Sequence, residues 1–397
     1  MKILTFTTLF PNRSRPDFGV FVFQRTSHLA GRPGNLVQVV APVPYFPSWI
    51  PSNRWGLYGQ LPREEKFANL DVYHPRYPLL PGVLMPLHGL LIFLGSCFLA
   101  RRLHRKFNFD CIDAHYVYPD GFAAVLLGKL LGLPVVVSAR GTDINVFPSF
   151  LKIRPMIVWS LRNAAGIIAV SSALKSAMVN LGVPVEKISV IPNGIDVKRF
   201  YPVPQPEARL ALRLPTDVKI AISVGALREV KNHKLLISAF AKVLESQLKL
   251  RLFIIGEGPL RPVLENLIRE LNLQERVALV GARPNDELAL WFSAADVSCL
   301  VSSREGWPNV LMESIACGTP VIATRVGGMP EIICSSELGV LTDEDPDSVA
   351  AALSSALTKH WDRSALARHA RTREWTKVAE EVELYLASVV SPIRSSA

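Results

Sequence analysis

The sequence predicts an α/β protein built from two doubly wound, Rossmann-like domains. Its 397 residues exceed the length at which a single hydrophobic core usually stops growing, so two globular domains are expected. Short apolar runs alternate with longer amphipathic stretches, as parallel strands alternate with crossover helices. The alternation stops once, at a proline-rich stretch, and then resumes. These three observations predict the fold class.

The first half of the chain contains apolar runs of strand length and intervening stretches of helical periodicity. Strands are predicted at residues 2–7, 36–41, 110–115, 134–138, 166–170 and 188–191. Helices are predicted at residues 20–30, 121–131, 151–164 and 171–181. This order predicts a doubly wound domain over residues 1–203.

A proline-rich stretch separates the two halves. Residues 201–206 contain three prolines, which remove backbone donors and favour an extended connection. Further strands are predicted at residues 219–224, 250–255, 276–280, 297–300, 320–323 and 339–341. The second domain is therefore predicted over 204–374, and one hypothesis returns a final helix within 375–397 to the first domain. Two such domains facing across a cleft are expected to hold a site between them, beyond the carboxyl ends of their strands.

Positive charge is concentrated in the first half. Residues 1–200 contain 22 Lys and Arg against 10 Asp and Glu, whereas the remainder contains 22 against 24. A basic half favours nucleic acid, anionic lipid or a polyanionic substrate as partner. The sequence has no zinc-finger spacing, RNP-like motif or long Lys/Arg run, so nucleic acid is not expected.

The arrangement of the cysteines indicates the cellular compartment of the protein. The five cysteines form no CxxC or CxxH motif, which indicates free thiols in a reducing compartment. Residues 1–6 are predicted to form a strand, and no signal-peptide cleavage pattern follows. A cytoplasmic location is therefore expected.

One apolar stretch, residues 87–100, has two interpretations. It is interrupted by His88 and Gly89 and is shorter than the ~20 residues of a membrane span, so it is not expected to span. The basic residues 101–106 follow it. An amphipathic anchor at a membrane surface and a buried helix with a solvated basic end both fit this pattern.

A helix start between two glutamates is the main candidate for a binding site. A strand runs into a loop that contains Glu305, and a helix is predicted over 308–317 with Pro308 in its first turn and Gly318 just past its end. Such a helix start presents unpaired amides and a positive dipole end to an anionic ligand, for example a diphosphate. Glu313 is suited to a ribose diol and Glu305 to a sugar, although ordinary surface acids are the alternative.

Residues after two predicted strands of the first domain are further candidates. Gly19 opens the first helix, where glycine either lets backbone approach phosphates closely or simply makes a turn. Arg140 and Asp143 follow the strand at 134–138. They either shape the acceptor side of the site or form a plain salt bridge within the loop.

The segment from Glu305 to Glu313 matches the E-x7-E signature of glycosyltransferase family 4, which the chain resembles along nearly its whole length. The supporting motifs are Phe10-Pro11-Asn12, Gly19-Val20-Phe21-Val22, Ala139-Arg140-Gly141-Thr142-Asp143, Pro192-Asn193-Gly194-Ile195-Asp196, Gly256-Glu257-Gly258-Pro259, residues 316–323 and residues 326–331. The resemblance implies the GT-B fold, a nucleotide-diphosphate sugar donor and transfer with retention at the anomeric carbon. It also implies that no metal ion and no other cofactor are used.

The family places an arginine and a lysine on the donor diphosphate, and this chain matches that pair in part. Lys231 matches the lysine. The usual arginine position holds Ala226, so Arg228, two positions later, is the candidate substitute. Two cations suit the reaction because the leaving diphosphate gains negative charge, which preorganised positive groups stabilise.

Other site positions follow from the same resemblance. In the family, main-chain contacts near Ala282 and Arg283 recognise the nucleotide base. Side-chain identity there does not distinguish a UDP-linked donor from a GDP-linked one, so both are alternatives. The start of the E-x7-E helix completes the donor-binding set with Trp307, Asn309 and Val310. His115 matches the H-x3-P-x-G motif, whose histidine lies beside the transferred sugar in relatives; a histidine satisfied within the core is the alternative.

The expected activity is glycosyl transfer to a glycan or lipid-linked glycan in cell-surface polysaccharide or glycolipid assembly. The first-domain loop at 42–47 is expected to contribute to the acceptor site. An anionic membrane surface is an expected partner, which places the protein in the cytoplasm or peripherally on the inner face of the cytoplasmic membrane. A sugar-nucleotide epimerase and a non-catalytic nucleotide-binding or membrane-scaffold protein are the alternatives.

Overall fold

The computed structural model describes residues 1–45, 58, 60–78, 85–244 and 249–394. It divides into two compact units. The first unit consists of Met1–Asn193 together with Trp375–Ala397, and the second is Gly194–Glu374.

A sheet of eight strands forms the centre of the first unit. The strands of this unit are β1 (Lys2–Phe6), β2 (Leu36–Val40), β3 (Val43–Tyr45), β4 (Glu64–Phe67), β5 (Leu70–Tyr73), β6 (Arg76–Pro78), β7 (Cys111–His115), β8 (Val135–Ala139), β9 (Gly166–Ala169) and β10 (Ile188–Val190). The sheet order is β10-β9-β8-β7-β1-β2-β5-β4, with β4 antiparallel to β5 and the other pairs parallel, while β3 and β6 form a separate pair. The six predicted strands are confirmed within one or two residues. Strands β3 to β6 were not predicted, because they are short and carry prolines or charges.

Helices cover this sheet. They are α1 (Val20–Ala30), α2 (His88–Phe107), α3 (Phe122–Leu131), α4 (Thr142–Asn145), α5 (Arg154–Asn163) and α6 (Ser172–Asn180). Helix α2 is longer than the apolar stretch at 87–100 suggested. By length and composition alone, it is long and apolar enough to cross a membrane. Core helices of soluble proteins have the same length and composition. One face of α2 is packed inside this unit at Ile92, Ala100 and Leu103.

The second unit is a parallel sheet of six strands covered by helices. Its strands are β11 (Lys219–Val224), β12 (Leu250–Ile255), β13 (Val277–Gly281), β14 (Val297–Leu300), β15 (Val321–Thr324) and β16 (Gly339–Thr342). Its helices are α7 (Gln205–Ala211), α8 (His233–Leu244), α9 (Arg261–Glu270), α10 (Asn285–Ala294), α11 (Asn309–Ala316), α12 (Met329–Ile332), α13 (Pro346–Thr358) and α14 (Arg363–Arg371). The sheet order is β13-β12-β11-β14-β15-β16. All six predicted strands are present.

The units divide at Asn193/Gly194, ten residues before the predicted boundary at 203/204. Ile195 and Phe200 pack in the core of the second unit, and the Ile195 amide donates a 2.9 Å hydrogen bond to the Arg373 carbonyl. Hydrophobic burial therefore assigns residues 194–203 to the second unit. Of the prolines that suggested the boundary, Pro202 and Pro204 precede helix α7, and Pro206 lies in its first turn.

The last helix, α15 (Trp375–Arg394), belongs to the first unit. Its apolar face, including Val378, Val382 and Leu386, packs in the same core as the first-unit strands. The Tyr385 hydroxyl accepts from the Ile167 amide at 3.0 Å and donates to the Lys187 carbonyl at 2.8 Å. The hypothesis of a returning helix thus corresponds to the observed packing; residues 395–397 lie outside the described residues.

Candidate active site

The second unit brings Lys231 and Glu305 together at its topological switch point. Strand β11 continues to β12 on one side of the sheet, whereas its other neighbour β14 continues to β15. Lys231 follows β11 and Glu305 follows β14, so both lie beyond carboxyl ends at the place where such sheets bind ligands. The Lys231 Nζ is 2.6 Å from the Glu305 Oε1, and the two side chains are 21% and 14% exposed.

Backbone contacts hold the loops of this ion pair. The Ser303 amide donates to the Val230 carbonyl at 2.9 Å and so joins the loops after β14 and β11. Gly327 has a φ of 55°, and a Cβ there would lie 1.9 Å from the Glu305 carbonyl oxygen. Only glycine fits this approach, which positions the Glu305 backbone.

Two further glycines let the loop after β12 stack on the loop after β11. A Cβ on Gly256 would lie 2.0 Å from the Gly225 carbonyl oxygen, and one on Gly258 would lie 2.4 Å from that of Leu227. Glu257 pairs with Arg261 at 3.1 Å on the surface. These contacts give the Gly-Glu-Gly segment a structural role in shaping the Lys231 loop.

Helix α11 begins between the two glutamates, as predicted, but one residue later. Pro308 has extended backbone with ψ 94° and precedes the helix, so its expected place inside the first turn was wrong. The side chain of Pro308 makes no capping hydrogen bond to the first turn, whose amides carry the positive end of the helix dipole. Gly318, with a φ of 77°, follows the end of the helix as predicted.

Several buried polar atoms around these loops have no hydrogen-bond partner among the residues that the structure describes. They are His233 Nδ1, Ser302 Oγ, Trp307 Nε1 and Asn309 Oδ1. An unpaired buried polar group costs about 1 to 3 kcal/mol, so native proteins usually satisfy such groups with solvent or ligand. Trp307 and Asn309 flank the start of α11, where the sequence predicted donor contacts.

Glu313 lies in the second turn of α11. Burial raises the pKa of this carboxyl to about 7, and the charge of Arg199 acts in the opposite direction. Arg199 was not predicted as a site residue; it lies in the segment that the sequence assigned to the other domain. The carboxyl is therefore poised to change its ionisation near neutral pH.

The remaining donor candidates of the second unit are loop residues on its surface. Arg228 is exposed, three positions before Lys231 in the same loop. Ala282 and Arg283 are exposed after β13, and the Arg283 side chain lies 3.8 Å from Glu287. Val310 is half-buried beside the core in the first turn of α11. Donor contacts at these positions stay predictions.

In the first unit, His115 also lies at a switch point, between β7 and β1. Arg140 donates to the His115 Nδ1 at 2.5 Å, and because a guanidinium cannot accept, the ring proton is on Nε2. That nitrogen lies 3.3 Å from Asp113. Burial and the charges of Arg25 and Arg140 lower the pKa of His115 to about 3, so the ring is neutral.

His115 is fully buried and is surrounded by a charged network that the sequence reading missed. Arg25, on the buried face of α1, contacts Asp113 at 2.6 Å and the Ser138 hydroxyl at 2.9 Å. Burial alone would raise the pKa of Asp113, but the charge of Arg25 holds it well below its usual range. Two signals were available: an aspartate within a strand that is buried along its whole length, and an arginine in line with Val22 and other buried α1 residues. A direct sugar contact by His115 stays a prediction.

Arg140 and Asp143 do not form the predicted alternative, a salt bridge between their side chains. Asp143 accepts from the amides of Val117 and Gly141, both at 2.8 Å, and from that of Arg140. The Arg140 guanidinium instead contacts Asn193 at 2.8 Å and His115. Asp143 thus organises the loop around Arg140, because its oxygens are occupied by backbone donors.

Gly19 caps α1 in a left-handed conformation, with a φ of 70°. A Cβ there would lie 2.3 Å from the Leu9 carbonyl oxygen. Packing within the loop therefore requires glycine even without a ligand, and a phosphate contact stays a prediction.

Asp120 is a second unpredicted acid at this edge. It is fully buried and accepts from the Thr8 amide at 2.8 Å and from the Thr8 hydroxyl at 3.0 Å. Burial raises its pKa to about 7. Asp120 joins the loop after β1 to the loop after β7.

No group of three or more His, Cys, Asp or Glu side chains that could hold a metal ion occurs in the described ranges. The expectation that the reaction uses no metal stays a prediction.

Two family profiles match the chain. A profile described as "Glycosyl transferases group 1" matches residues 204–373, and one described as "Glycosyltransferase Family 4" matches residues 80–199. The chain is 31% identical over 322 residues to a D-inositol 3-phosphate glycosyltransferase of Corynebacterium urealyticum, covering 75% of each protein. It is 29% identical over 340 residues to a putative teichuronic acid biosynthesis glycosyltransferase of Bacillus subtilis, covering 84% of this chain and 83% of that protein.

A third relative matches over less of its length. The N-acetyl-alpha-D-glucosaminyl L-malate synthase of Bacillus anthracis is 29% identical over 238 residues, which span 59% of this chain and 62% of that protein.

Solved structures resemble the whole chain. Sucrose-phosphate synthase from Thermosynechococcus elongatus matches with a TM-score of 0.78 and 22% identity, covering 98% of this chain and 99% of that one. Anabaena HepE in complex with UDP matches with a TM-score of 0.73 and 19% identity, covering 98% and 100%.

The two doubly wound units and these likenesses define an enzyme of the glycosyltransferase class with the GT-B fold, as the sequence predicted. The chain belongs to glycosyltransferase family 4.

Proposed function

We propose that the enzyme transfers a sugar from a nucleotide-diphosphate donor to a hydroxyl of a glycan or lipid-linked glycan, with retention at the anomeric carbon. The observation that carries this proposal is the Lys231–Glu305 pair at the switch point of the second sheet, together with unpaired buried polar atoms at the start of α11. The name of the Bacillus subtilis relative, which refers to teichuronic acid biosynthesis, supports a role in polysaccharide assembly.

In this mechanism, the bond between the anomeric carbon and the leaving diphosphate breaks on the same face on which the acceptor oxygen bonds to that carbon. The acceptor proton passes to the leaving phosphate. Negative charge grows on the diphosphate, and Lys231, Arg228 and the amides at the start of α11 are the groups proposed to stabilise it. None of these steps uses a metal ion.

The carboxylates are assigned different parts of the donor. Glu313 accepts hydrogen bonds from the ribose hydroxyls, and Glu305 contacts the sugar next to Lys231. Because both act by binding, the two-carboxylate geometry of glycosidases does not apply. On the first unit, the neutral ring of His115 is proposed to lie beside the transferred sugar, and Arg140, ordered by Asp143, to shape the acceptor side.

The first donor to test is a UDP-sugar. Anabaena HepE binds UDP-glucose, which supports uridine over guanosine as the first choice, although HepE is only 19% identical. The proposed donor contacts at Gly19, Ala282, Arg283, Trp307, Asn309 and Val310 are to be tested with the same ligands.

Thermal-shift titration with UDP- and GDP-sugars tests donor binding, because a ligand at 100 times its Kd adds about 2.7 kcal/mol to the free energy of unfolding. Transfer of labelled sugar to a lipid-linked glycan, with NMR of the product anomer, then tests the reaction. An inverted product contradicts retention. Conversion of the free donor to an epimer, or binding without turnover, supports the two alternatives instead.

A further inference from the structure

Helix α2 presents a row of apolar side chains to solvent. The row begins at Leu87, the residue before α2, and continues in the helix with Leu90, Leu94 and Phe98, at spacings of three or four residues. These four side chains are 43%, 40%, 53% and 86% exposed. Residues at this spacing share one face of a helix, so they form a continuous stripe about 16 Å long. We refer to these four residues as the apolar stripe.

A cluster of cations continues the same face. Arg101 and Arg105 lie three and seven positions after Phe98, and Arg102 and Lys106 lie beside them; all four are exposed. Residues 85–107 contain no Asp or Glu. An apolar stripe that is followed by cations without acidic neighbours is complementary to a surface with an apolar interior and an anionic outer layer.

The rest of α2 is fixed in the first unit. Ile92, Ala100 and Leu103 are buried on the face opposite the stripe. A Cβ on Gly89 would lie 2.7 Å from the Phe122 ring of α3, and one on Gly95 would lie 2.6 Å from the Arg76 carbonyl oxygen of β6. The helix therefore packs on two elements at once and cannot cross a bilayer while the unit is folded, although its length allows it.

A cavity of about 490 Å³ opens beside the stripe, and Phe98 and Arg102 line it. Arg63 and Arg76 also line this cavity, and burial together with the charge of Arg63 lowers the pKa of Arg76. Glu64, 3.4 Å from Arg102, is the acid on its lining. The Arg76 guanidinium donates to the carbonyls of Tyr58 and Leu61. Arg63 and Arg102 are therefore the arginines of this lining that attract an anionic group such as a lipid phosphate.

We infer that the apolar stripe and the cations of α2 dock the first unit on the surface of an anionic bilayer. The helix lies in the interface, with Leu94 and Phe98 among the acyl chains and Arg101 and Arg105 at the phosphates. This selects the surface-anchor interpretation of the stretch at 87–100 and locates the membrane contact within the basic half of the chain. The inference does not rest on the proposed glycosyl transfer.

The test is co-sedimentation of the full chain with vesicles of phosphatidylcholine alone or with 30% phosphatidylglycerol. We expect binding at least about tenfold tighter to the anionic vesicles, weakening with salt. Leu94→Ser/Phe98→Ser and Arg101→Gln/Arg105→Gln should each weaken that binding by about tenfold or more. Because these side chains are exposed, the thermal midpoints should stay within about 2 °C of wild type.

Two control variants change matched residues elsewhere on the surface. Leu384→Ser removes an apolar side chain that is 66% exposed on α15, and Arg371→Gln/Lys377→Gln removes two exposed cations. Both should bind vesicles as wild type does. Equal losses in the controls and the α2 variants, or no loss in either α2 variant, overturn the inference.

Analytical ultracentrifugation tests whether a second copy of the chain, and not a membrane, covers the apolar stripe. If Leu94→Ser/Phe98→Ser converts a dimer to a monomer while vesicle binding is unchanged, the stripe is a contact between copies of the chain and the inference is overturned. These assays need neither donor nor turnover, so their failure is distinguishable from failure of the proposed reaction.

Discussion

The Lys231 ammonium lies 2.6 Å from the Glu305 carboxylate, although the two residues follow different strands of the second sheet. Without a donor, the Glu305 carboxylate holds the Lys231 ammonium at the switch point. A diphosphate that takes Lys231 as its partner releases Glu305, so the two proposed roles are linked. The role of Lys231 predicts an effect on donor affinity, and the role of Glu305 predicts an effect on turnover.

Lys231→Met should weaken donor binding by about 1.5 to 3 kcal/mol, because it removes a charge-assisted contact to the diphosphate. Isothermal titration with the donor found by thermal shift measures this loss. Lys234→Met is the matched control, since Lys234 is an exposed lysine that pairs with Glu229 at 3.3 Å. Equal affinity in the wild type and Lys231→Met would exclude Lys231 from the diphosphate site.

Glu305→Gln should lower turnover by about a hundredfold while leaving donor affinity within about threefold of wild type, because its contact is proposed to strengthen in the transition state. Steady-state transfer rates and titration of the same donor measure the two effects. A large loss of affinity with unchanged turnover would reverse the roles assigned to Glu305 and Glu313.

Donor affinity should rise with pH through Glu313. Its pKa of about 7 leaves much of the carboxyl protonated below neutrality, whereas the ribose contact needs the ionised form as acceptor. Affinity should therefore increase between pH 6 and pH 8 and then level off. Glu313→Gln should bind about tenfold more weakly at pH 8 and lose this pH dependence; a variant as pH-dependent as wild type would contradict the assignment.

Asp120 should make the unliganded protein less stable as pH rises. Its pKa is about 7 in the fold and about 3.8 as an ordinary carboxyl, so between these values the folded state binds more protons than the unfolded state. The free energy of unfolding then falls from about pH 4 to pH 7. Asp120→Asn should reduce this fall, and melting temperatures from pH 5 to pH 8 measure it. Parallel pH curves for the Asp120→Asn variant and the wild type would show that Asp120 titrates normally.

The Arg25–Asp113 pair predicts an asymmetry between single and double substitutions. Arg25→Met leaves a buried carboxylate without its partner and should destabilise the first unit by about 3 to 5 kcal/mol. Arg25→Met/Asp113→Leu removes both charges and should recover much of that loss. Urea denaturation measures both variants, and Arg154→Met, which changes an exposed arginine of the same unit, is the control. Independent, additive losses would contradict coupling between the two residues.

Local signals predicted the strands that lie in the middle of each sheet. Strands β7, β8 and β14 are buried along their whole length and rich in apolar residues, because both faces of a parallel sheet are covered. The short strands β3 to β6 lack this pattern. Gly318 was predictable because the end of a helix needs a left-handed residue, whereas the exact start of α11 depended on the extended ψ of Pro308.

Site residues divide in the same way. The spacing of the sequence motifs was sufficient to predict Glu305, Glu313, Lys231 and His115 as site residues. The sequence did not predict Asp120, Arg25 or Arg199 as site residues, because each of them interacts with a residue that is distant in the chain. The salt bridge between Arg140 and Asp143, one of the two alternatives for these residues, is absent for the same reason. Backbone amides occupy the oxygens of Asp143, and the Arg140 guanidinium contacts His115 and Asn193.

The sequence by itself determined the two doubly wound halves, the glycosyltransferase family and the strand ends that carry the candidate residues, because hydrophobic period and motif spacing are local properties. Only the tertiary structure decided that residues 194–203 belong to the second unit, that Lys231 pairs with Glu305, and that α2 buries one apolar face and exposes another. Those facts depend on which surfaces meet in space, and burial and charge pairing are settled only when distant segments pack together.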